Sequence, residues 1–282
     1  MSGLVDIGAN LLHAQFDLDR ISVLTRARTA GIKRLVITST NLETAGSNIS
    51  FLETMAARID VPLLHTTVGI HPHDAAHAAP DWKSRVTDLA QHPEVVAIGE
   101  TGLDFNRNFS PAQQQREVFA GHIDLANAMD RPLFVHDRDS HGEVLRMLEE
   151  RATPPQNVVI HCFTGSALEL DACLAAGYWI GITGWVCDRR RGQSLRDLVP
   201  RIPLARLLIE TDAPFLLPHD LPRGLVHPPL GRRNEPAYLP HIAATLAGLM
   251  QVPLATLASA TTANAVSFFR LPKEAGREPA RW

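Results

Sequence analysis

The sequence is poor in the features that mark disulfide-bonded, secreted or membrane-spanning proteins. Its three cysteines, Cys162, Cys173 and Cys187, form no CxxC pair and are too few for a disulfide framework. No apolar run approaches the roughly 18 residues of a membrane span. Asp6 interrupts the apolar start of the chain, which has no basic segment, so we expect no signal peptide. These absences predict a soluble cytoplasmic protein.

The sequence also lacks an excess of positive charge and several well-known catalytic signatures. Its formal net charge is −3 over 282 residues, so any contact with nucleic acid has to come from a local basic patch. We find no P-loop, no Rossmann glycine fingerprint and no zinc-finger spacing. The absence of a GxSxG segment argues against serine-hydrolase chemistry.

Short apolar segments alternate with helical patterns along nearly the whole chain. The segments indicate buried parallel strands at residues 4–7, 34–38, 64–70, 95–99, 132–136, 158–161, 178–183 and 207–210. About eight strand–helix units with right-handed crossovers predict a single (β/α)8 TIM barrel over residues 1–270, followed by a polar tail at 271–282. A doubly wound open sheet is the alternative. Candidate ligands that occur from the first strand to the last favour the closed barrel.

Four residues of metal-binding type each follow a different apolar segment. They are Glu100 after VVAIG, His136 after PLFV, His161 after NVVI and Asp212 after LLIET. A barrel presents its active site at the carboxyl ends of its strands, and carboxylates and imidazoles are ligands of catalytic divalent metals. One buried histidine is more often a hydrogen-bonded core residue, but two in corresponding positions on successive strands reverse that expectation. The pattern predicts a metal centre assembled by folding.

Other polar residues near the strand ends are candidates for supporting roles. Asp6 and Asn10 can offer oxygen to a hard cation such as Mg²⁺. We expect Asp104 to orient a neighbour or to form a turn. Alternation along the last strand places Glu210 on the same side as Asp212, which would bring Glu210 towards the mouth of the barrel.

Two histidines, His71 and His73, flank a proline in the segment GIHPHD. An HxH pair can chelate zinc, but the proline prevents a regular continued strand, so we favour substrate contact or proton handling over ligation. A ligating histidine such as His136 or His161 also needs a carboxylate or carbonyl to hold its second nitrogen, and Asp137 and Asp139 are the two candidates for that partner.

Three arginines are candidates for binding substrate phosphate. Arg138 lies in VHDRD and can bind phosphate or pair with Asp139, and Arg232 and Arg233 lie in GRRNEP after the last predicted strand. The guanidinium fork matches phosphate oxygens well. A solvated surface role is the default alternative for such a charge cluster.

Several segments taken together resemble one known family. In chain order they are DIGANL, GIHPHD, GETGLDFNRNFS, VHDRD, HCFTG, GITGWVCD, IETDAP and RRNEP. They resemble the TatD family of metal-dependent deoxyribonucleases, which are amidohydrolase-like barrels, and the resemblance covers about residues 4–270. It implies that Glu100, His136, His161 and Asp212 are the metal ligands. It also implies that the two histidines of HPH lie near the scissile phosphate.

The chain departs from the usual family pattern at the end of the first strand. Relatives usually carry a His-x-His pair there, whereas this chain has Gly8 and Asn10. The bacterial branch of the family shares this change, and its members are similar to 3′→5′ exonucleases that act on single-stranded DNA and RNA with Mg²⁺. The resemblance therefore implies a divalent metal, Mg²⁺ ahead of Mn²⁺ or Zn²⁺, rather than a tightly held zinc.

The sequence leads to a functional hypothesis with named residues. It is a monomeric, metal-dependent 3′→5′ exonuclease for single-stranded DNA or RNA, working in DNA repair or nucleic-acid turnover. Asp212 orients or deprotonates the attacking water, Glu100 holds metal, and His71 and His73 assist at the phosphate. The alternatives are a metal-dependent hydrolase of an aminoacyl ester on RNA or an amide, and a nucleic-acid-binding module with a decayed site.

Overall fold

The protein forms a parallel barrel. A computed structural model describes residues 3–222, 224 and 233–272. Its strands are β1 (Leu4–Ala9), β2 (Ile32–Ile37), β3 (Leu63–Val68), β4 (Val95–Asp104), β5 (Leu133–Arg138), β6 (Val158–Ile160), β7 (Trp179–Ile182) and β8 (Leu207–Ile209). Neighbouring strands pair in parallel and follow one another in sequence order. The predicted alternation of strand and helix is confirmed.

The first strand meets the residues that follow the last strand. Ala9 forms a parallel bridge with Ala213. The amide of Asp212 donates to the carbonyl of Gly8 at 2.8 Å, and the amide of Asn10 donates to the carbonyl of Ala213 at 2.6 Å. These bonds nearly close the sheet into the predicted TIM barrel, and they bring Asp212 beside Asn10, 202 positions earlier in the chain.

Helices connect the strands and cover the outside of the barrel. They are α1 (Arg20–Thr29), α2 (Leu42–Met55), α3 (Trp82–Leu89), α4 (Ala112–Met129), α5 (Glu143–Glu150), α6 (Ala167–Ala176), α7 (Gln193–Leu198), α8 (Leu239–Met250) and α9 (Leu254–Phe268). Local sequence fixes some of their starts, since Asn41 and Ser166 each begin a helix with a complete capping box. Apolar residues from these helices and from the strands share one large buried cluster.

The amino-terminal end of the barrel is closed by the end of α9. Phe268 packs edge-on against Trp179 with ring centroids 5.9 Å apart, and Phe269 lies 6.5 Å from Phe134 inside the barrel. Phe134 is fully buried and stacks on the ring of His161 at 4.4 Å. An apolar floor therefore lies beneath the carboxyl ends of the strands.

β4 is longer than the sequence predicted, because it continues from residue 99 to Asp104. Gly99 and Gly102 have φ angles of 141° and 139°, which side-chain-bearing residues rarely adopt, and the pairing register shifts between Ile98 and Thr101. A side chain at Gly99 would also lie 2.4 Å from the carbonyl oxygen of Phe134. The irregular strand places Glu100 within the sheet at the mouth, rather than on a turn after it.

Two further predictions concern the ends and the surroundings of the barrel. The division at residue 270 remains a prediction, because residues 273–282 lie outside the described part of the chain. Leu271 still packs in the floor cluster with Phe269.

Within the described ranges, no single helix is long and apolar enough to cross a membrane. The bent pair Pro236–Met250 and Leu254–Phe268, which meet at 112°, passes that test by length and composition alone.

Candidate metal centre at the barrel mouth

Three imidazoles surround one oxygen of Glu100 at the mouth of the barrel. Oε1 of Glu100 lies 2.8 Å from Nε2 of His161, 3.0 Å from Nδ1 of His136 and 3.2 Å from Nε2 of His71. Glu100, His161 and His71 are buried, although they come from β4 and from the ends of β6 and β3. The fold therefore brings together three of the four predicted metal ligands and one of the predicted catalytic histidines.

The second nitrogens of His136 and His161 face carboxylates other than Asp137 and Asp139. Glu210, fully buried, places Oε2 3.4 Å from Nδ1 of His161, and its Oε1 accepts the amide of Cys162 at 2.6 Å. Nε2 of His136 lies 3.6 Å from Oδ2 of Asp104. A carboxylate behind a histidine fixes the ring for a metal. Alternation within IETDAP had pointed to Glu210.

The expected partners Asp137 and Asp139 were wrong. The carboxyl group of Asp137 is buried, which raises its pKa, and it bonds to Ser140 rather than to either histidine. Asp139 accepts the side-chain amide of Asn106 at 2.6 Å on the exposed rim. Both residues lie within three positions of His136 in the chain, but their carboxylates face away from the imidazoles, and carboxylates from other strands take that place.

Asp212 lies at the mouth beside β1, and its carboxylate is not hydrogen-bonded to Glu100. Its Oδ1 accepts the side-chain amide of Asn10 at 2.9 Å. Burial raises the pKa of Asp212 to about 8, and the positive charge of His161 only partly opposes this. A second acid on the same side, Asp6, is fully buried against Thr211, and burial raises its pKa to about 7. Asp6 thus supports the Thr211 segment.

The side chain of Glu210 occupies the space beside Gly8. A side chain on Gly8 would place its Cβ 2.4 Å from Oε2 of Glu210 and 3.3 Å from the ring of Phe134. Gly181, on the other side, would meet Oε1 of Glu210 at 2.8 Å. Glu210 therefore reaches the mouth through a gap between two glycines.

Hydrogen bonding determines which nitrogen of His71 carries its proton. Nδ1 of His71 accepts the amide of His73 at 3.0 Å, so Nδ1 has no hydrogen and the neutral ring carries its proton on Nε2. That nitrogen faces Glu100. A metal ligand needs a free lone pair on the nitrogen that faces the ion. His71 is therefore placed as a hydrogen-bond donor, although ligand atoms of His71, Glu100 and His136 lie within 4.8 Å of one another.

His73 is held separately, on the outer side of the same turn. Its Nε2 lies 2.7 Å from Oδ2 of Asp104, and its ring lies edge-on to Phe109 at 4.6 Å. The hydroxyl of Ser110 donates to the carbonyl of His73 at 2.7 Å. Asp104 therefore touches both His73 and His136, and it has the orienting position that the sequence suggested.

Charges within the cluster favour an ionised Glu100. Burial would raise the pKa of Glu100, but the surrounding imidazoles of His71, His161 and His136 outweigh it and hold the pKa well below its ordinary value. Burial likewise opposes protonation of His161, yet the charges of Glu100 and Glu210 keep its pKa well above the usual value. The pKa of His71 is lowered, chiefly by burial. The cluster is thus an anion shielded by bound protons, which a cation can replace.

The three predicted substrate arginines have different surroundings. Arg138 ends β5 at the mouth and is exposed. Arg233 is buried, with a side chain only 3% exposed, and it pairs with Asp19 at 2.7 Å and with Glu235 at 2.6 Å. A guanidinium committed to two carboxylates anchors the segment after β8 rather than facing substrate. Arg232 lies outside the described residues.

The residues present fit a divalent cation. Glu100, His136 and His161 bring a carboxylate and two imidazoles together, and Nε2 of His136 is buried without a hydrogen-bond partner. Nitrogen and oxygen donors of this kind bind Zn²⁺, Mn²⁺ and similar ions, and carboxylates also suit Mg²⁺. Imidazoles crowded around one carboxylate at the carboxyl end of a (β/α)8 barrel define a metal-dependent hydrolase of the amidohydrolase-like class.

Comparison with known proteins narrows this class to one family. The family model for TatD-related DNases matches residues 5–270. The chain is 44% identical to the 3′-5′ ssDNA/RNA exonuclease TatD of Escherichia fergusonii, over 94% of this chain and 98% of the relative. It is 47% identical to the exonuclease of the same name from Erwinia billingiae, over 95% and 100%. The chain therefore belongs to the TatD-related DNase family.

Solved structures of TatD proteins share the fold. The TatD homologue YjjV of Escherichia coli superposes with a TM-score of 0.81 at 26% identity, over 95% of this chain and 98% of that chain. A TatD family hydrolase from Entamoeba histolytica superposes with a TM-score of 0.84, also at 26% identity and with the same coverage. The predicted resemblance and barrel fold are both confirmed.

Proposed function

We propose that this protein is a metal-dependent 3′→5′ exonuclease that hydrolyses phosphodiester bonds of single-stranded DNA and RNA. The observation that carries the proposal is the carboxylate of Glu100, with imidazoles of β3, β5 and β6 within 3.2 Å of one of its oxygens. Membership of the TatD-related DNase family indicates the class of reaction. The curated relatives are named for this activity. Nucleic-acid turnover or repair would use such an activity.

We assign the cation to Glu100, His136, His161 and Asp212, and we propose Mg²⁺ as its identity. Three of these side chains already converge, and Asp212 faces the same mouth with its charge coupled to His161. When bound, the cation supplies a Lewis acid for a phosphoryl oxygen and makes a water molecule more acidic. An anionic set of oxygen donors with only two imidazoles suits a hard ion.

We assign the attacking water to Asp212. Asn10 occupies Oδ1 of Asp212 at 2.9 Å, which leaves Oδ2 to orient a water molecule and to accept its proton. A carboxylate whose pKa burial has raised to about 8 is a stronger base than an exposed one. Since Asp212 holds both metal and water in this assignment, its loss removes both functions.

We assign His71 and His73 to the phosphate and the leaving group. The Nε2 proton of His71 points into the cluster and can donate to a phosphoryl oxygen that enters it. Asp104 fixes the ring of His73 at 2.7 Å, so that His73 can protonate the leaving 3′-oxygen. Arg138, exposed at the end of β5, is the described arginine that we assign to the substrate backbone.

The test is a cleavage assay with metal-stripped protein. A single-stranded oligonucleotide labelled at its 5′ end is incubated with Mg²⁺, Mn²⁺ or Zn²⁺ added back separately. We expect a ladder that shortens from the 3′ end only when metal is present, fastest with Mg²⁺. A phosphorothioate at the last linkage should stop the ladder, whereas the same modification at the 5′ end should have no effect.

The same assay separates the proposal from its alternatives. An oligonucleotide that stays intact with every metal, in folded protein, contradicts the exonuclease assignment. Turnover of an aminoacyl ester or an amide under those conditions would place the chain with hydrolases of another bond. Binding of the oligonucleotide without turnover of any of these substrates would indicate a binding module.

A further inference from the structure

A second group of potential metal ligands lies apart from Glu100. It consists of Cys187, Asp220 and His241, whose ligand atoms lie within 4.8 Å of one another. None of the three contacts the Glu100 cluster in the hydrogen bonds and ion pairs described. Cys187 ends the short helical turn Gly184–Cys187 after β7, Asp220 lies in the segment after β8, and His241 lies in the first turn of α8.

We infer that the cluster of Cys187, Asp220 and His241 is a second metal site, specific for a borderline-soft divalent ion such as Zn²⁺. A thiolate, an imidazole and a carboxylate are the donor types that zinc combines, whereas Mg²⁺ avoids sulfur. The thiolate and the carboxylate carry two negative charges together, which one divalent ion neutralises. A neutral centre is the condition for burying such a group at low cost.

Each ligand already has a partner that orients it. Sγ of Cys187 lies 3.5 Å from the hydroxyl of Thr245, one turn along α8 from His241. Nε2 of His241 lies 2.7 Å from Oδ1 of Asp220, and Oδ2 of Asp220 lies 3.9 Å from Nε of Arg189. Supporting contacts of this kind are the usual surroundings of metal ligands. In the metal-bound form the ion takes the place of the proton between His241 and Asp220.

Burial and access both suit a metal site. Cys187 is fully buried, whereas the side chains of Asp220 and His241 are 29% and 18% exposed, so an ion can enter from solvent. The residues beside them line a groove of about 510 Å³, among them Trp185, Pro218 and His219. Three protein ligands leave one position of a tetrahedral site for water or a groove ligand.

The position of the site suggests what it does. Its ligands join the turn after β7, the segment after β8 and the start of α8, and the first two also form the walls of the groove. An ion there would fix the groove beside the catalytic mouth. The site is independent of the proposed exonuclease activity, because it uses none of the residues assigned to that activity.

The test uses Co²⁺ as a spectroscopic substitute for zinc in full-length, metal-stripped protein. A cobalt–thiolate bond gives an intense near-ultraviolet band that nitrogen and oxygen ligands do not give. We expect the band in the wild-type protein and in Cys162→Ser and Cys173→Ser, and its loss in Cys187→Ser. Cys162 is the essential control, since it follows His161 at the catalytic mouth.

A second variant covers the case in which Cys187→Ser does not fold. His241→Gln keeps the buried thiol and should lower the affinity for Co²⁺ at least tenfold, as followed by titration of the cobalt–thiolate band. His77→Gln, which changes an exposed histidine elsewhere, should leave that affinity unchanged. Zn²⁺ should raise the unfolding temperature of Glu100→Gln, in which the catalytic centre is impaired, but not that of the double variant Glu100→Gln/His241→Gln. Folded wild-type protein without a cobalt–thiolate band overturns the inference, as does a band that disappears in Cys162→Ser.

Discussion

The two sides of the barrel mouth hold their carboxylates in opposite ways. On the side of β4 to β6, imidazoles surround Glu100, and its pKa lies well below the ordinary value. On the side of β1 and β8, Asp6 and Asp212 have pKa values raised to about 7 and about 8, because burial is not matched by a nearby positive charge. The carboxylate on the first side is charge-compensated by protein groups alone, whereas the carboxylates on the other side need a bound cation to ionise.

This difference explains how one site can be stable to fold and still bind metal. Burying a carboxylate without a counter-charge is costly, and the group takes up a proton instead. A divalent ion between the two sides lets Asp212 ionise, since the ion provides the positive charge that its surroundings lack. Metal binding should therefore release protons, and it should strengthen as pH rises.

The largest expected effect comes from removing Glu100, the carboxylate that the imidazoles surround. Glu100→Ala should lower kcat at least about a thousandfold, because a lost cation removes several kcal/mol of transition-state stabilisation. Turnover of the labelled oligonucleotide and the thermal unfolding midpoint are measured together. The exposed Glu149→Ala is the control. Near-normal turnover by folded Glu100→Ala would refute the assignment of Glu100.

A smaller effect should separate His71 from the metal ligands. His71→Asn keeps an acceptor for the amide of His73 but removes the Nε2 proton. Loss of a proton donor at the phosphate should reduce kcat roughly a hundredfold, while Mn²⁺ binding, followed by titration, stays close to that of the wild type. A large loss of Mn²⁺ affinity with unchanged kcat at saturating metal would make His71 a ligand instead.

The other side is tested by pH. The pKa of Asp6 is raised from 3.8 to about 7, so the native protein keeps a proton that the unfolded chain has released between these values. Metal-free protein should therefore lose stability as pH rises through this window, by up to about 4 kcal/mol for Asp6. Asp6→Asn retains a neutral group and should remove that part of the loss.

Urea unfolding in EDTA at pH 4 and pH 8 measures this difference. Wild type and Asp6→Asn should be similar at pH 4, and the variant should be the more stable protein at pH 8. Asp6→Asn should still lose some unfolding free energy as pH rises. We assign that remaining loss to Asp212, whose pKa is also raised. Equal stability of the two proteins at both pH values would show that Asp6 is ionised without penalty.

The fit of Glu210 between glycines is tested by adding one carbon. Gly8→Ala places a Cβ 2.4 Å from Oε2 of Glu210 and should cost about 1–3 kcal/mol of unfolding free energy. The cost should largely disappear in a Glu210→Ala background. Gly46→Ala is the matched control, since nothing lies within 4 Å of its added carbon and it sits within α2, where alanine is favoured.

The smallest expected effect on catalysis concerns Arg138, which is compared with Arg233, the other predicted substrate arginine within the described residues. Arg138→Ala should raise KM several-fold and reduce the salt dependence of oligonucleotide binding by about one unit of slope or less, with unfolding unchanged. Arg233→Ala should instead lower stability, because it removes the buried guanidinium between Asp19 and Glu235 and leaves Arg26 as the arginine paired with both. If Arg233→Ala weakens binding while its unfolding midpoint is unchanged, the anchoring role of Arg233 is wrong.

Much of the fold and the outline of the site could be predicted from local patterns. All eight strands were found, and helices lie between them as the alternation predicted, because apolar runs and helical periodicity are local properties. The end of β4 was misplaced, since two glycines with positive φ continue an irregular strand through Glu100. A turn and a bulge share the same glycine signal.

The partners of the histidines could not be predicted in the same way. Asp137 and Asp139 were chosen because they are close in sequence, whereas Glu210 and Asp104 reach the imidazoles from other strands. Likewise, the sequence predicted that Arg233 binds substrate, whereas in the fold it bonds to Asp19, 214 residues away. Pairing across such separations depends on strand register and tilt, which a single sequence does not display.

The sequence by itself determined the alternation of strands and helices, the identity of the family and the residues that gather at the barrel mouth. These follow from periodicity and from short segments whose order is specific. Tertiary structure alone decided which carboxylate serves which histidine, that His71 carries its proton on Nε2, and that Gly8 leaves room for Glu210. Hydrogen bonds and steric gaps depend on distances of a few tenths of an ångström between residues far apart in the chain, and only the folded backbone sets those distances.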